Sequence, residues 1–340
     1  MAGKSSACAE TRGRLSRWRG MAVLGLVALI GLGIGLSFGS VSIPLDRLWR
    51  ALTGSETATV TDIVWKLRMP RVLAAFACGG LLSLSGVLLQ VLLRNPLADP
   101  YIFGVSGGAA LGVLLSMLLG WGTAMQTGTG LAGALAVSAL VFGLGFGSSG
   151  RSAYRLLLTG VVVAAGLNAL LSLILVLAPQ TAVKGMLFWL MGDLGQATSP
   201  WLAILLLGVV FLIALPLTGA MNVLALGRTK AQSLGVSVLE LELALYGLAA
   251  ICVLTSVLMA GTVGFVGLIV PHAVRLLGLS DHRWLLPGAV LAGGSFLVLA
   301  DTLARAAWAP LQLPVGVLTA LAGVPVLLLL LVGRDRDAAH

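Results

Sequence analysis

Gly104, Ser106 and Gly108 match the G-x-S-x-G pattern that, in a hydrolase, lifts a nucleophilic serine onto a strand-to-helix turn. The surroundings remove that chemistry. The match lies inside an apolar run and has no Asp and His partners in a workable arrangement, so its small residues are expected to form a face on which two helix backbones approach closely. No G-x-x-x-x-G-K-S/T phosphate loop occurs, so any ATP must be hydrolysed by a partner. Cys8, Cys78 and Cys252 are far apart and lack metal-ligand spacing, and they read as inert small side chains.

An ion-coupled carrier needs titratable or coordinating groups near the middle of its membrane helices, and the middle of every apolar run here is free of Asp, Glu, Lys and Arg. Asp301 and Arg305 lie four residues apart near the outer end of one run. They either pair with each other or leave Arg305 to dock a partner. His272, directly after Pro271, reads as a helix-packing histidine. Ser83, Ser85, Gln90, Asn168, Ser172, Thr255 and Ser256 are polar without charge. They either hydrogen-bond helices together or wet a wide, weakly binding path for a bulky solute.

Membrane helices must position these residues. Of 340 residues 59% are hydrophobic and 10% charged, against roughly 25% charged in a soluble domain. Apolar runs fall near 21–38, 72–93, 101–119, 129–146, 156–177, 201–219, 240–260, 263–278, 285–304 and 314–332, most of them close to the ~20 residues that a bilayer crossing requires. The expected architecture is an all-α polytopic membrane protein. A single ten-helix transmembrane domain covers 21–333, flanked by a cytoplasmic segment, 1–20, and a cytoplasmic tail, 334–340. With the N-terminus inside, 14 Lys and Arg residues fall on the cytoplasmic side and 7 outside, the sense of the positive-inside rule. The net charge of +9 therefore records topology rather than nucleic-acid binding. Lys4, Arg12, Arg14, Arg17 and Arg19 precede the first run as in a signal peptide, but no small-residue cleavage site follows, so that run is expected to be retained as a helix. Two hydrophilic stretches remain, Gly39 to Met69 outside and Met221 to Val238 inside. The amphipathic piece from Lys184 to Gly195, with Phe188 and Trp189, suits the membrane interface, as an anchor or in a functional role.

Several long motifs then occur in order: L-R-M-P-R-V-L-A-A from Leu67, S-G-V-L-L-Q, the run Arg94 to Gly112, M-N-V-L-A-L-G from Met221, Gly264 to Leu276, D-H-R-W-L-L-P-G from Asp281, A-D-T-L-A-R and L-P-V-G-V-L-T-A-L-A-G-V-P. From about Leu48 to the C-terminus the chain resembles the permease subunits of iron-chelate and cobalamin ABC importers, the FecCD-type family. The resemblance implies a ten-helix subunit of the bacterial inner membrane, with both termini cytoplasmic. It pairs with a second copy of itself, two ATPase subunits inside and a solute-binding protein outside. The chain itself would bind no cofactor, and ATP and Mg would be used by the ATPase partner. Arg68, Arg71 and Arg305 match the external arginines that receive acidic residues of the binding protein, and exposed guanidinium forks suit that purpose.

Within the inner stretch, Leu226, Gly227, Arg228, Lys230, Ala231, Gln232, Leu234 and Gly235 resemble the region that couples to the ATPase. Leu226, Ala231 and Leu234 are expected to face one way, and Arg228, Lys230 and Gln232 others. Ser152, Ala153 and Tyr154 match the cytoplasmic gate, although related gates carry small hydroxyl residues where this chain has Ala153 and Tyr154. Thr159, Asn168 and Ser172 resemble residues of the pathway-lining helix. The expected cargo is an iron chelate, haem or a ferric siderophore, with cobalamin as the alternative. The rival classes are an ion-coupled carrier and an integral-membrane enzyme.

Overall fold

A computed structural model of the chain describes residues 2–145, 153–195 and 199–337, and these contain helices and no strand. The first helix, α1, runs Ala2–Ser37. Two short helices, α2 (Leu45–Leu52) and α3 (Ala58–Asp62), and a π-helical turn over Ile63–Arg68 form a cap ahead of α4 (Met69–Leu92). A tight 3-10 turn over Pro100–Phe103 leads into α5 (Val105–Leu118), which hairpins into α6 (Thr123–Gly145). There follow α7 (Ala153–Leu177), α8 (Gln180–Leu190), α9 (Trp201–Ala214), α10 (Thr218–Ala225) and α11 (Arg228–Ser233). The last four are α12 (Val238–Ala260), α13 (Val266–Leu276), α14 (His282–Ala306) and α15 (Val315–Asp337).

Each of the ten apolar runs falls on a helix. Among the described residues, seven helical stretches have the length and composition to cross a bilayer, and Val105–Leu118, Val266–Leu276 and Val315–Leu329 are shorter apolar helices. The brevity of α13 has a local cause. After Ala260 the chain turns through Gly261 at φ +68 and proceeds without helix to Phe265, itself at φ +69, before α13 begins. Tyr101 fastens that non-helical stretch: its hydroxyl donates to the Val263 carbonyl at 3.0 Å and accepts from the Val263 amide at 2.9 Å. Irregular backbone survives at membrane depth only where protein satisfies its polar groups, and a phenol that does both satisfies that condition.

The centre of the bundle is α4. Its apolar stretch is 89% buried, against 28% or less for those of α1, α6, α7 and α9. It packs against α12, α13 and α14, and its small residues set the spacing: Gly79 lies on the Gly293 backbone of α14 and Gly86 on the Gly267 backbone of α13. The G-x-S-x-G segment behaves in the same way. Gly104, at φ +70, turns the chain into α5, and a methyl group added at Gly108 would lie 2.5 Å from the Gly133 carbonyl oxygen of α6. The hydrolase pattern is thus a helix-packing seam. Many of the buried polar residues act as interhelical or local ties. Ser256 donates to Cys252 O at 2.8 Å, and Gln90 Nε2 lies 3.3 Å from Leu268 O of α13. The piece from Lys184 to Gly195 contains α8, and Met186 is fully buried with Leu114, Leu171 and Ile174. Behind α8, the Asp193 amide donates to Ala260 O at 2.8 Å and Val315 N to Gly192 O at 3.0 Å, so the segment is packed into the bundle.

Candidate functional site

Three places in this bundle carry chemistry, and the first is the arginine cluster at the N-terminal end of α4. Arg68 and Arg305 are each 6% exposed, so the expectation of exposed guanidinium forks is corrected for both. The reason is the end of α1, whose last carbonyls lack helical donors. Arg68 Nη1 donates to Leu36 O at 2.6 Å and Ser37 O at 2.7 Å, its Nη2 donates to Val41 O, and Arg305 Nη2 lies 3.3 Å from Gly35 O. Arg71 alone reaches the surface, with Nη1 donating to Gln312 Oε1 at 3.1 Å. Its other edge donates to Asp301, from Nη2 at 2.8 Å and Nε at 3.0 Å, and Arg305 Nε sits 3.0 Å from the same carboxylate. The Asp301–Arg305 pair read from the sequence forms, and Arg71 joins it. Gln312 and Asp301 as partners of Arg71 are more than 200 residues away along the chain, and no spacing pattern announces them.

The second place is a cavity of about 540 Å³ between α5, α7 and the segments around Leu190 and Thr262. Tyr101, Ser106, Asn168, Ser172, Leu190 and Thr262 contribute to its wall, which has no charged side chain among the described residues. Asn168 and Ser172, one helical turn apart, are brought together there, while Thr159 lies outside the wall. Of the gate residues, Ser152 lies outside the described residues. Ala153 and Tyr154 begin α7, and of them only the backbone is described.

The third is the short helical arm at α10 and α11. Gly227 at φ +123 and Gly235 at φ +81 bracket α11, conformations that an L side chain rarely adopts. Ala231 is fully buried, whereas Leu226 and Leu234 are 64% and 67% exposed. The expected shared face of Leu226, Ala231 and Leu234 is therefore corrected: the bend at Gly227 takes Leu226 out of helical phase, Ala231 anchors the arm, and the two leucines project from its ends. Lys230 and Gln232 are exposed, and Arg228 Nη2 stands 3.5 Å from Glu242 Oε2 of α12. Behind the arm, Asn222 Nδ2 donates to Asp281 Oδ1 at 2.8 Å, and its Oδ1 accepts from the His282 amide at 3.1 Å. Asp281 also caps α14 through the Arg283 amide at 3.0 Å. Burial alone would push its carboxyl up, but these hydrogen bonds and the charges of Arg283 and Arg17 hold it below the usual range. Arg275 Nη1 donates to Gln90 Oε1 at 2.6 Å and ties α13 to α4. The roles of Glu242, Asn222 and Gln90 in these ties rest on partners distant in sequence.

Comparison with known proteins bears on the fold and the family. The chain is 37% identical over 326 residues to the uncharacterized ABC transporter permease protein YvrB of Bacillus subtilis, covering 90% of this chain and 91% of that one. It is 37% identical over 325 residues to the vitamin B12 import system permease protein BtuC of Escherichia coli, covering 94% and 96%. A solved structure described as a metal-chelate type ABC transporter in an inward-facing conformation superposes with a TM-score of 0.80 at 29% identity, covering 93% of this chain and 99% of that chain. The model of the FecCD transport family matches residues 26–333, and the chain belongs to that family of multi-pass ABC importer permeases, whose ATP is hydrolysed by a separate subunit.

Proposed function

We propose that the chain is one half of a homodimeric permease that passes a bulky metal chelate across the bacterial inner membrane by alternating access. The observation that carries this reading is the uncharged wall of the 540 Å³ cavity. A conduit that must release its cargo gains from weak, neutral contacts, and selection is left to a solute-binding protein outside. In this reading the chain crosses ten times with both termini in the cytoplasm. Asn168 and Ser172 of each copy face the path, and Thr159 lies nearer its inner end. Ser152, Ala153 and Tyr154 close that end, the tyrosine ring narrowing it.

Two ATPase subunits seat on the arm from Leu226 to Gly235. Its exposed Leu226 and Leu234 supply apolar contacts, and Arg228, Lys230 and Gln232 the polar rim. Gly227 and Gly235 fix its angle, and Ala231 makes it move with the bundle. On the other face Arg71 meets a carboxylate of the binding protein, and Arg68 and Arg305 join once freed from α1. The cargo is an iron chelate, haem or a ferric siderophore, or else cobalamin. The relatives' names give equal support to the two classes, as one imports vitamin B12 and another is of metal-chelate type.

The test is uptake by proteoliposomes holding the permease, its ATPase and its binding protein, with labelled haem, ferric siderophore and cobalamin offered in turn. Accumulation should require ATP inside and the binding protein outside. Accumulation driven by an ion gradient without the ATPase refutes the mechanism.

A further inference from the structure

We propose that Asp301 is the internal competitor of the docking partner: it holds Arg71 and Arg305 within the undocked permease and yields them to carboxylates arriving from outside. The proposal rests on the docking assignment above. Asp301 is 1% exposed and lies between two guanidinium groups. Arg71 gives it the Nε and Nη2 edge, at 3.0 and 2.8 Å. A two-pronged grip on a partner's carboxylate uses such an edge, so this one cannot hold both carboxylates at once. Arg71 keeps only Nη1 at the surface, on Gln312.

Arg305 is engaged in the same way. Its Nε faces Asp301, and its Nη2 lies against Gly35 O and, at 3.4 Å, Thr302 Oγ1. Arg68, from the turn before α4, stands nearby and donates to the end of α1, and Asp193, whose Oδ1 accepts from the Gly195 amide at 2.6 Å, borders Arg71 across Gly195. Arg71 and Arg305 thus share the carboxylate of Asp301 in the interior, while the neighbouring Arg68 is held by backbone carbonyls alone. A cluster with surplus positive charge is poised to accept further carboxylates, and docking becomes an exchange of one carboxylate for another. Since Arg305 also holds Gly35 O, its release loosens the last turn of α1. Docking outside is then felt at the seam between α1 and α14.

The experiment uses full-length permease in nanodiscs and the purified solute-binding protein of its transport system. Asp301→Asn should tighten association about tenfold at low salt and make it fall more steeply as salt rises. Asp301→Glu keeps the charge and should stay within about twofold of the parent. A merely structural Asp301 would weaken association in both variants, with no change in salt dependence. Arg71→Glu separates the two layers of argument. If it leaves association unchanged, the docking assignment fails and takes the proposal with it. If it weakens association while Asp301→Asn does not tighten it, only the competitor role is overturned. Should Asp301→Asn not fold, hydrogen exchange on the parent protein decides. The Phe38 amide donates to Ile34 O at 2.8 Å in the last turn of α1, and its exchange should quicken when the binding protein docks. Unchanged or slower exchange there overturns the proposal.

Discussion

Replacing Gly108 by alanine tests whether the G-x-S-x-G segment is packing or chemistry. The added methyl would stand 2.5 Å from Gly133 O and 2.7 Å from Val137 Cγ2, whereas relaxed contact begins near 3.4 Å. α5 and α6 must therefore part by about 0.9 Å, because the backbone oxygen cannot rotate away as a side chain does. Overpacking of this kind costs about 1–3 kcal/mol, and a rigid backbone neighbour argues for about 3 kcal/mol. Alanine in place of glycine returns up to about 1 kcal/mol in helix propensity. The net loss is about 2 kcal/mol. The comparison is Gly143→Ala on α6, where a new methyl meets nothing within 4 Å, so the propensity term alone should stabilise by about 0.5–1 kcal/mol. Reversible unfolding in mixed micelles resolves the difference of roughly 3 kcal/mol between the two variants. Ser106→Ala, which removes only a hydroxyl from the cavity wall, should leave uptake within about twofold. If Gly108→Ala is as stable as Gly143→Ala, the close helix approach is wrong. If Ser106→Ala abolishes function, the packing interpretation of the motif is wrong.

Two further outcomes follow from the arm at α10 and α11 and the cap of α14. Leu226→Glu and Leu234→Glu alter side chains that are 64% and 67% exposed; folding should be retained while ATPase co-purification and uptake fall about tenfold or more, as for the loss of apolar anchors at an interface. Full coupling in both variants would move the ATPase contact elsewhere. The Asp281 carboxyl is held below its ordinary value of 3.8, so the stability it adds is present above that value and is lost as pH falls through the depressed range. Unfolding measured from neutral pH downward should show this loss in the parent and less of it in Asp281→Asn; identical profiles would remove the cap from the account.

How much was legible depends on whether local or distant neighbours decide a residue's place. Each of the ten apolar runs lies mainly on helix because a run of apolar side chains needs only its own backbone to satisfy itself in lipid. A break between 260 and 263 was legible, but its extension to Phe265 was not. What holds the longer break is Tyr101 bonding to Val263, 162 positions away. Asn168 and Ser172 share the cavity because they are one turn apart on a continuous helix, and Thr159, nine positions earlier at ~100° per residue, points about half a turn away. The arm failed for the same geometrical reason. Phase could be counted from Leu226 to Leu234 only if the helix were unbroken, and Gly227 at φ +123 breaks it.

The arginines show the limit more sharply. Near the end of a membrane helix, an Arg in the sequence is equally compatible with water, headgroup, partner or a neighbouring helix terminus. Arg68 lies on the last, because α1 ends beside it with the Leu36 and Ser37 carbonyls in need of donors that the helix itself no longer supplies, and its Nη1 reaches both. That need comes from the packing of α1 against α4 and α14, and nothing in L-R-M-P-R expresses it. The same packing bears on function. The charged groups described at the two ends of the bundle are tied across helices: Arg71 and Arg305 through Asp301, Arg275 to Gln90, Arg228 to Glu242. In the proposed transport cycle, forces applied by partners at either face would reach several helices at once through these ties.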